Sequence, residues 1–314
     1  MAKNKASIYS ALMADILIAT TKFIAGTHTN SSSMISEGIH SLVDTVNQVL
    51  LLYGLKRSKK PADKLRPFGY GKELYFWSFI VSILIFGLGG GLSIYQGILH
   101  IRNAQQLGDP SWNYAVLGFS LIFDGGSFLI AIKEFNKARG DLSFWKAIIQ
   151  SKDPSTFLVL FEDGAAVLGL FIVFILMLCS HAYNLPALDG VDSILVGLLL
   201  VFASLILARE SRSLLMGEGI APETQQKIKA LAEKDPSVIK VGSILSTYEA
   251  PEEVVLMLII YFKPDLDTEQ ITNAIERIRK AIKEEFERIE FVIIQPQGIT
   301  AFDVGPQKNR NNIN

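Results

Sequence analysis

Long apolar runs fill the chain as far as Arg209, and a mixed polar pattern replaces them from there on. Roughly 30 Å of hydrocarbon takes about 20 helical residues to cross. Six segments reach that length: Ile8–Gly26, Ser33–Leu55, Leu74–Ile101, Tyr114–Ile132, Thr156–Leu178 and Val191–Ala208. The third is long for a single span, so it tilts or projects from the bilayer. Gly87, Gly91 and Gly97, with Ser93 among them, give it a face of small residues. Such a face lets helices approach closely, either within the chain or at a dimer seam.

Beyond Arg209-Glu210-Ser211-Arg212 the periods are those of a small soluble unit. Pro222 opens a short helix over Glu223–Glu233, because proline suits a first helical turn. Val238–Thr247 and Val254–Phe262 are rich in β-formers and flank the turn Glu249-Ala250-Pro251-Glu252. Asp267 or Thr268 caps the next helix, with Ile271, Ala274, Ile275, Ile278, Ala281, Ile282 and Phe286 on one face. Ile289–Ile294 is the last strand, ended by Gln295-Pro296. The resulting αββαβ order implies a small sheet with its helices on one face. The expected division is a six-span bundle over 1–212, a soluble domain over 213–304 and a disordered tail over 305–314.

Charge placement orients the bundle. Lys3 and Lys5 precede the first span; Lys56, Arg57, Lys59, Lys60, Lys64 and Arg66 follow the second; Lys133, Lys137, Arg139, Lys146 and Lys152 follow the fourth. Arg102 is the one basic residue in the opposite connections. By the positive-inside rule both termini are cytoplasmic. The partner implied is a lipid bilayer, and a net charge of -1 gives no reason to expect nucleic acid. The single cysteine, Cys179, excludes a disulfide framework and a thiolate metal site. No cleavable signal peptide is evident before the first span, which suggests a multi-pass protein of a plain cell membrane. Trp77, Trp112 and Trp145 read as interface anchors, and Lys22 as a side chain that snorkels outward. His28, His100 and His181 fall at span ends and read as incidental. Phe68-Gly69-Tyr70-Gly71 lacks the preceding strand of a phosphate loop.

A carboxylate at mid-bilayer costs about 2.5–3.5 kcal/mol even on the lenient insertion scale, so each one asks for a reason. His40 and Asp44 lie at i, i+4 on the second span and can grip one ion together. Glu162 and Asp163 on the fifth point about 100° apart, so one of them faces that pair squarely; Asp163 is the first choice and Glu162 the second. One imidazole with several carboxylates is a recurring divalent-metal set. Asp15 and Asp124 complete the intramembrane acids, as packing or proton-relay groups. The alternative for the whole set is a hydrogen-bonded network that holds the bundle together.

The run Ser36-Glu37-Gly38-Ile39-His40-Ser41-Leu42-Val43-Asp44-Thr45-Val46-Asn47-Gln48, then Arg66-Pro67-Phe68-Gly69-Tyr70-Gly71-Lys72-Glu73, resembles the cation diffusion facilitator family of zinc and related divalent-metal transporters. Phe161-Glu162-Asp163-Gly164-Ala165-Ala166 and Arg209-Glu210-Ser211-Arg212-Ser213-Leu214 extend the likeness over nearly the whole chain. The resemblance implies an all-α six-helix membrane bundle with a C-terminal α/β, ferredoxin-like domain. It also implies a homodimer that exports a metal ion, Zn²⁺ foremost, in exchange for protons. The metal is cargo, and no cofactor or enzymatic activity is expected. On that likeness His40, Asp44 and Asp163 are ligands.

The family's first fifth-span ligand should stand at position 159, which here is Val159. Glu162, Asn47, water or an acid of another helix must then complete the set, which leaves Mn²⁺, Fe²⁺, Co²⁺ or Cd²⁺ open as cargo. No histidine follows His181, and Ile294-Gln295-Pro296-Gln297 stands where some members carry one. The soluble domain is therefore expected to dimerise rather than hold a His-type metal site. The loop at Asp63 and Arg66 likewise lacks histidines. An intramembrane metalloenzyme would need an open catalytic position and a base, and no His-Glu-xx-His run is present. A non-transporting metal sensor is the remaining alternative, and the histidine-free soluble domain speaks against it.

Overall fold

A computed structural model describes residues 2–103, 111–140, 143–144, 147, 152, 154–183 and 185–298. The chain divides into two compact units, Met1–Met216 and Gly217–Asn314. The expected tail over 305–314 and the anchor Trp145 lie outside the described residues.

The first unit is helical: α1 (Ala2–Thr29), α2 (Ser32–Ser58), α3 (Lys72–Leu84), a π-helical segment (Ile85–Gly91), α4 (Leu92–Arg102), α5 (Ser111–Arg139), α6 (Pro154–Tyr183) and α7 (Ala187–Leu215). Among the described residues, four stretches are long and apolar enough to cross a membrane: Lys72–Arg102, Ser111–Lys137, Val159–Tyr183 and Ala187–Leu215. Helices α1 and α2 are of similar length, 28 and 27 residues, but α2 carries Glu37, His40 and Asp44 along its middle. Helix α1 packs on α2 and α5, α5 on α6, and α6 on α7; α2 and α4 close the bundle against α3 and α7 respectively.

Two features lock α7 to its neighbours. The first is backbone contact. A Cβ at Gly97 would come within 2.5 Å of the Gly190 carbonyl oxygen, and one at Gly190 within 2.7 Å of that of Gly97. One turn pair further along, Gly90 and Gly197 stand in the same relation, at 3.0 and 2.9 Å. The four glycines form an intramolecular seam that no larger residue fits. This corrects the expected register: Gly87 has open space beside it, and Gly91 meets nothing closer than 3.6 Å. The π segment explains the shift. Its wider turn rotates the helix face, so Gly90, Ser93 and Gly97 turn inward.

The second is a carboxylate at a helix start. Asn30 adopts a left-handed φ of 53°, which turns the chain sharply, and Ser31 caps α2 by accepting the Met34 N–H. Asp189 of α7 accepts the N–H groups of Ser32 and Ser33 and the hydroxyls of Ser31, Ser32 and Ser33. Orphan N–H groups and the positive end of the helix dipole both favour an anion there.

The second unit runs α8 (Pro222–Ala232), β1 (Val238–Ala250), β2 (Glu253–Phe262), α9 (Thr268–Glu285) and β3 (Ile289–Gln297). The sheet order is β1-β2-β3, with β1 antiparallel and β3 parallel to the central β2. As the middle strand, β2 buries Val254, Val255, Leu256, Leu258 and Ile260 in a nearly continuous run. Asp267 and Gln270 form a reciprocal capping box at the start of α9, whose Ala274, Ile278 and Ile282 are buried. Strand β3 continues through Pro296, opposite Ile260, where the sequence suggested a stop. An edge strand tolerates proline because its outer N–H has no ladder partner to lose.

Candidate metal site

Midway along the first unit a cavity of about 380 Å³ opens among α1, α2, α5 and α6. Asp15 of α1, Asp44 of α2, Asp124 of α5, and Glu162 and Asp163 of α6 all line it. Five carboxyl groups around one space make it the most acidic place among the described residues of the bundle.

The i, i+4 spacing on α2 brings His40 Nε2 to 3.4 Å from Asp44 Oδ2. The His40 ring is buried behind the cavity wall, and neither of its nitrogens makes a hydrogen bond among the described residues. On α6 the neighbouring acids diverge as helix geometry requires. Glu162 turns toward α2, where Asn47 Nδ2 donates to its Oε1 at 2.7 Å. Asp163 turns toward α5 and accepts the Ser127 hydroxyl at 2.7 Å. Both face the cavity, so Glu162 is the nearer of the two to α2. Val159 lines the same cavity one turn before Asp163. Among the described residues, no three His, Cys, Asp or Glu side chains converge closely enough to hold a metal ion. The acids surround the space without closing on one point.

Lys22 departs from expectation. It does not snorkel: it is fully buried, with Nζ 3.0 Å from Glu37 Oε2, 2.9 Å from Ser41 Oγ and 3.9 Å from Asp124 Oδ2. A buried ammonium group is tolerable only where an anion compensates it. Glu37 supplies that anion, and sequence reasoning missed it as a partner. The available signal was the i, i+4 step from Glu37 to Ser41, on the same α2 face as His40 and Asp44.

Outside the bundle core, the loop after α2 folds onto Tyr70. The tyrosine hydroxyl donates to Asp63 Oδ2 at 2.6 Å, and Lys60 and Arg66 lie over the ring at 4.5 and 4.4 Å. That hydrogen bond, with the N–H groups of Arg66 and Leu65, holds the Asp63 carboxyl below its ordinary range. Asp63 is therefore committed to the loop's own structure.

Residues 8–216 match the family model of the cation efflux transmembrane domain. The human proton-coupled zinc antiporter SLC30A9, mitochondrial, is 38% identical over 229 residues, which cover 72% of this chain and 40% of that protein. Metal tolerance protein C4 of Arabidopsis thaliana is 30% identical over 84% of this chain and 57% of its own length. The manganese efflux system protein MneP of Bacillus subtilis is 27% identical over 90% of this chain and 92% of its own. The match thus spans about two fifths of the human relative's length. A nickel form of the MamM C-terminal domain aligns at 22% identity, over 26% of this chain and all of that one, with a TM-score of 0.24.

Proposed function

This chain belongs to the cation efflux family, and we propose that it exchanges a divalent metal cation, Zn²⁺ foremost, for protons across a membrane by alternating access. The observation that carries the reading is the acid-lined cavity, with Asp44, Glu162 and Asp163 on its wall and His40 behind it, 3.4 Å from Asp44. Borderline cations take imidazole nitrogen together with carboxylate oxygen. His40 offers the nitrogen; Asp44, Asp163 and Glu162 offer the oxygens. Helices α2 and α6 already meet where Asn47 donates to Glu162 at 2.7 Å, so binding one ion asks the side chains of His40, Asp44 and Asp163 to turn onto a common point. Asn47 keeps Glu162 turned toward α2 meanwhile.

Proton coupling follows from the same groups. A metal binds carboxylate and neutral imidazole, so its arrival displaces protons, and reprotonation helps it leave. The fourth ligand is Glu162 in this reading, in place of the side chain that Val159 lacks.

Six helices, α1, α2, the continuous Lys72–Arg102 stretch, α5, α6 and α7, cross the bilayer in this reading. The basic residues after α2 and α5 then put both termini on the cytoplasmic side of the cell membrane. An organelle membrane, as in the name of the human relative, is the alternative that a localisation tag decides. The second unit, ferredoxin-like in this reading, pairs with that of a second copy.

A second cargo is favoured by one observation. Val159 removes a donor from the cavity wall, which relaxes a tetrahedral preference and admits Mn²⁺. The test is uptake of Zn²⁺ and Mn²⁺ into proteoliposomes under an imposed pH gradient, with wild type beside Asp44→Ala and Asp163→Ala. Gradient-driven flux in wild type, lost in both variants, supports the reading. A folded wild-type protein that moves neither ion, nor Fe²⁺, sinks it.

A further inference from the structure

A second cavity, of about 370 Å³, lies at the end of the bundle formed by the α1–α2 turn, and Ser32 and His100 are among the residues lining it. Between it and the acid-lined cavity lie ionisable groups that metal binding leaves unused, of which Asp189, Asp192, Glu37 and Lys22 are buried. His100 Nε2 stands 3.7 Å from Asp189 Oδ2. Asp192, one turn further along α7, has no solvent exposure, and neither of its carboxylate oxygens has a hydrogen-bond partner among the described residues. The hydroxyl beside it, that of Ser33, has a single proton, already donated to Asp189 at 2.6 Å.

Glu37 continues the file. Its Oε1 is also buried and unpartnered, and it lies where α2 meets α6 and α7. A Cβ at Gly169 would touch this oxygen at 3.2 Å and Val196 at 3.8 Å, and Val196 is one turn along α7 from Asp192. The other oxygen of Glu37 holds Lys22, which reaches Asp124 on the wall of the acid-lined cavity.

A fully buried carboxylate without a donor is costly, and the cost disappears when it carries a proton. The charged neighbours of Asp192 are Asp189 on its own helix and Glu37 on α2; His100 of α4 adjoins Asp189, and Lys22 of α1 adjoins Glu37. No cation adjoins Asp192 itself among these groups.

We propose that His100, Asp189, Asp192, Glu37, Lys22 and Asp124 form a proton relay joining the two cavities, with Asp192 as its proton-holding station. The proposal rests on the proton-coupled exchange given above and adds a route for the proton apart from the ligands that hold the metal. Each hop breaks one O–H or N–H bond and forms another, with a water molecule carrying the proton between pairs that do not touch, and Lys22 passes a proton towards Asp124 as it takes one from Glu37, so no charge is created along the file.

The test uses the full chain in proteoliposomes with a pH dye and a Zn²⁺ indicator inside, and calorimetric Zn²⁺ binding in detergent. Asp192→Asn is expected to lower the protons moved per Zn²⁺ and to cut the response of Zn²⁺ flux to the pH gradient about tenfold. Zn²⁺ affinity should stay within about twofold of wild type. His100→Gln, at the relay's mouth, should act in the same direction. Proton and Zn²⁺ fluxes that fall in proportion, or a ratio that does not move in either variant, overturn the relay. An infrared readout stands apart from transport: wild type should show the carbonyl band of a protonated carboxylic acid that Asp192→Asn lacks. Its absence in wild type overturns Asp192 as a proton store even if Zn²⁺ exchange is intact. A wild type that moves no cation would refute the exchange reading and leave the infrared result to decide the proton station.

Discussion

Lys22 Nζ lies 3.0 Å from Glu37 Oε2, and both side chains are sealed from solvent. They join α1 to α2 directly beside the acid-lined cavity. Removing one partner leaves an uncompensated buried charge, whereas removing both leaves none. Lys22→Met or Glu37→Gln alone should cost about 3–5 kcal/mol, as buried broken pairs do, and the double variant should recover most of it. Thermal unfolding of the purified protein in detergent, run as a double-mutant cycle, measures the coupling. Single variants as stable as wild type would show that the pair holds nothing.

The burial of Lys22 marks where sequence reasoning stops. A lone lysine on an apolar span snorkels by default, and only tertiary structure shows that Glu37 meets it from another helix. The His40–Asp44 pair, by contrast, follows from one helix's period, and the structure sets the two side chains 3.4 Å apart. The divergence of Glu162 and Asp163 is also a property of one helix, but which of them turns to α2 depends on how α6 is rotated in the bundle. The order of elements in the second unit was readable from alternation, turn residues and caps. The π segment at Ile85–Gly91 was not, because a wide turn leaves no sequence period of its own, and with it went the register of the glycine seam.

That seam gives a prediction with an internal control. Gly97→Ala places a methyl group 2.5 Å from the Gly190 carbonyl oxygen, so α4 and α7 must separate. Overpacking of this kind costs about 1–3 kcal/mol. Gly87→Ala meets open space and gains up to about 1 kcal/mol of helix propensity. Stability in detergent should therefore fall for the first and hold or rise for the second. Equal effects would mean that the close approach contributes nothing.

Val159 stands on the cavity wall with Glu162 and Asp163. Val159→Asp adds a carboxylate one turn from Asp163, on the same face of α6. Zn²⁺ affinity should rise by about tenfold, roughly 1.4 kcal/mol, and the Zn²⁺-to-Mn²⁺ preference should rise with it, since Zn²⁺ favours four close donors. Calorimetric titration with each ion checks this. Unchanged selectivity would place the bound metal away from position 159.

In the second unit, Arg277 grips Asp235 in a two-point fork, with Nε to Oδ2 at 2.8 Å and Nη2 to Oδ1 at 2.9 Å. Partial burial opposes ionisation of Asp235, but the Arg277 fork and the Ser237 N–H outweigh it and hold the carboxyl below its ordinary range. A depressed folded-state value means that the unfolded chain binds the proton more readily. The contribution to stability is thus complete above the ordinary carboxylate range and disappears as pH falls through the lower, folded value. Arg277→Met should leave the pH dependence near neutrality unchanged and flatten the acid limb. Proton uptake on unfolding there should drop by at most about one proton per chain, the limit for a single group. Denaturant unfolding of the full chain from neutral pH down to about pH 3, followed by a probe in the second unit, reads this directly. An acid limb as steep in the variant as in wild type would mean that carboxylates other than Asp235 carry the acid sensitivity.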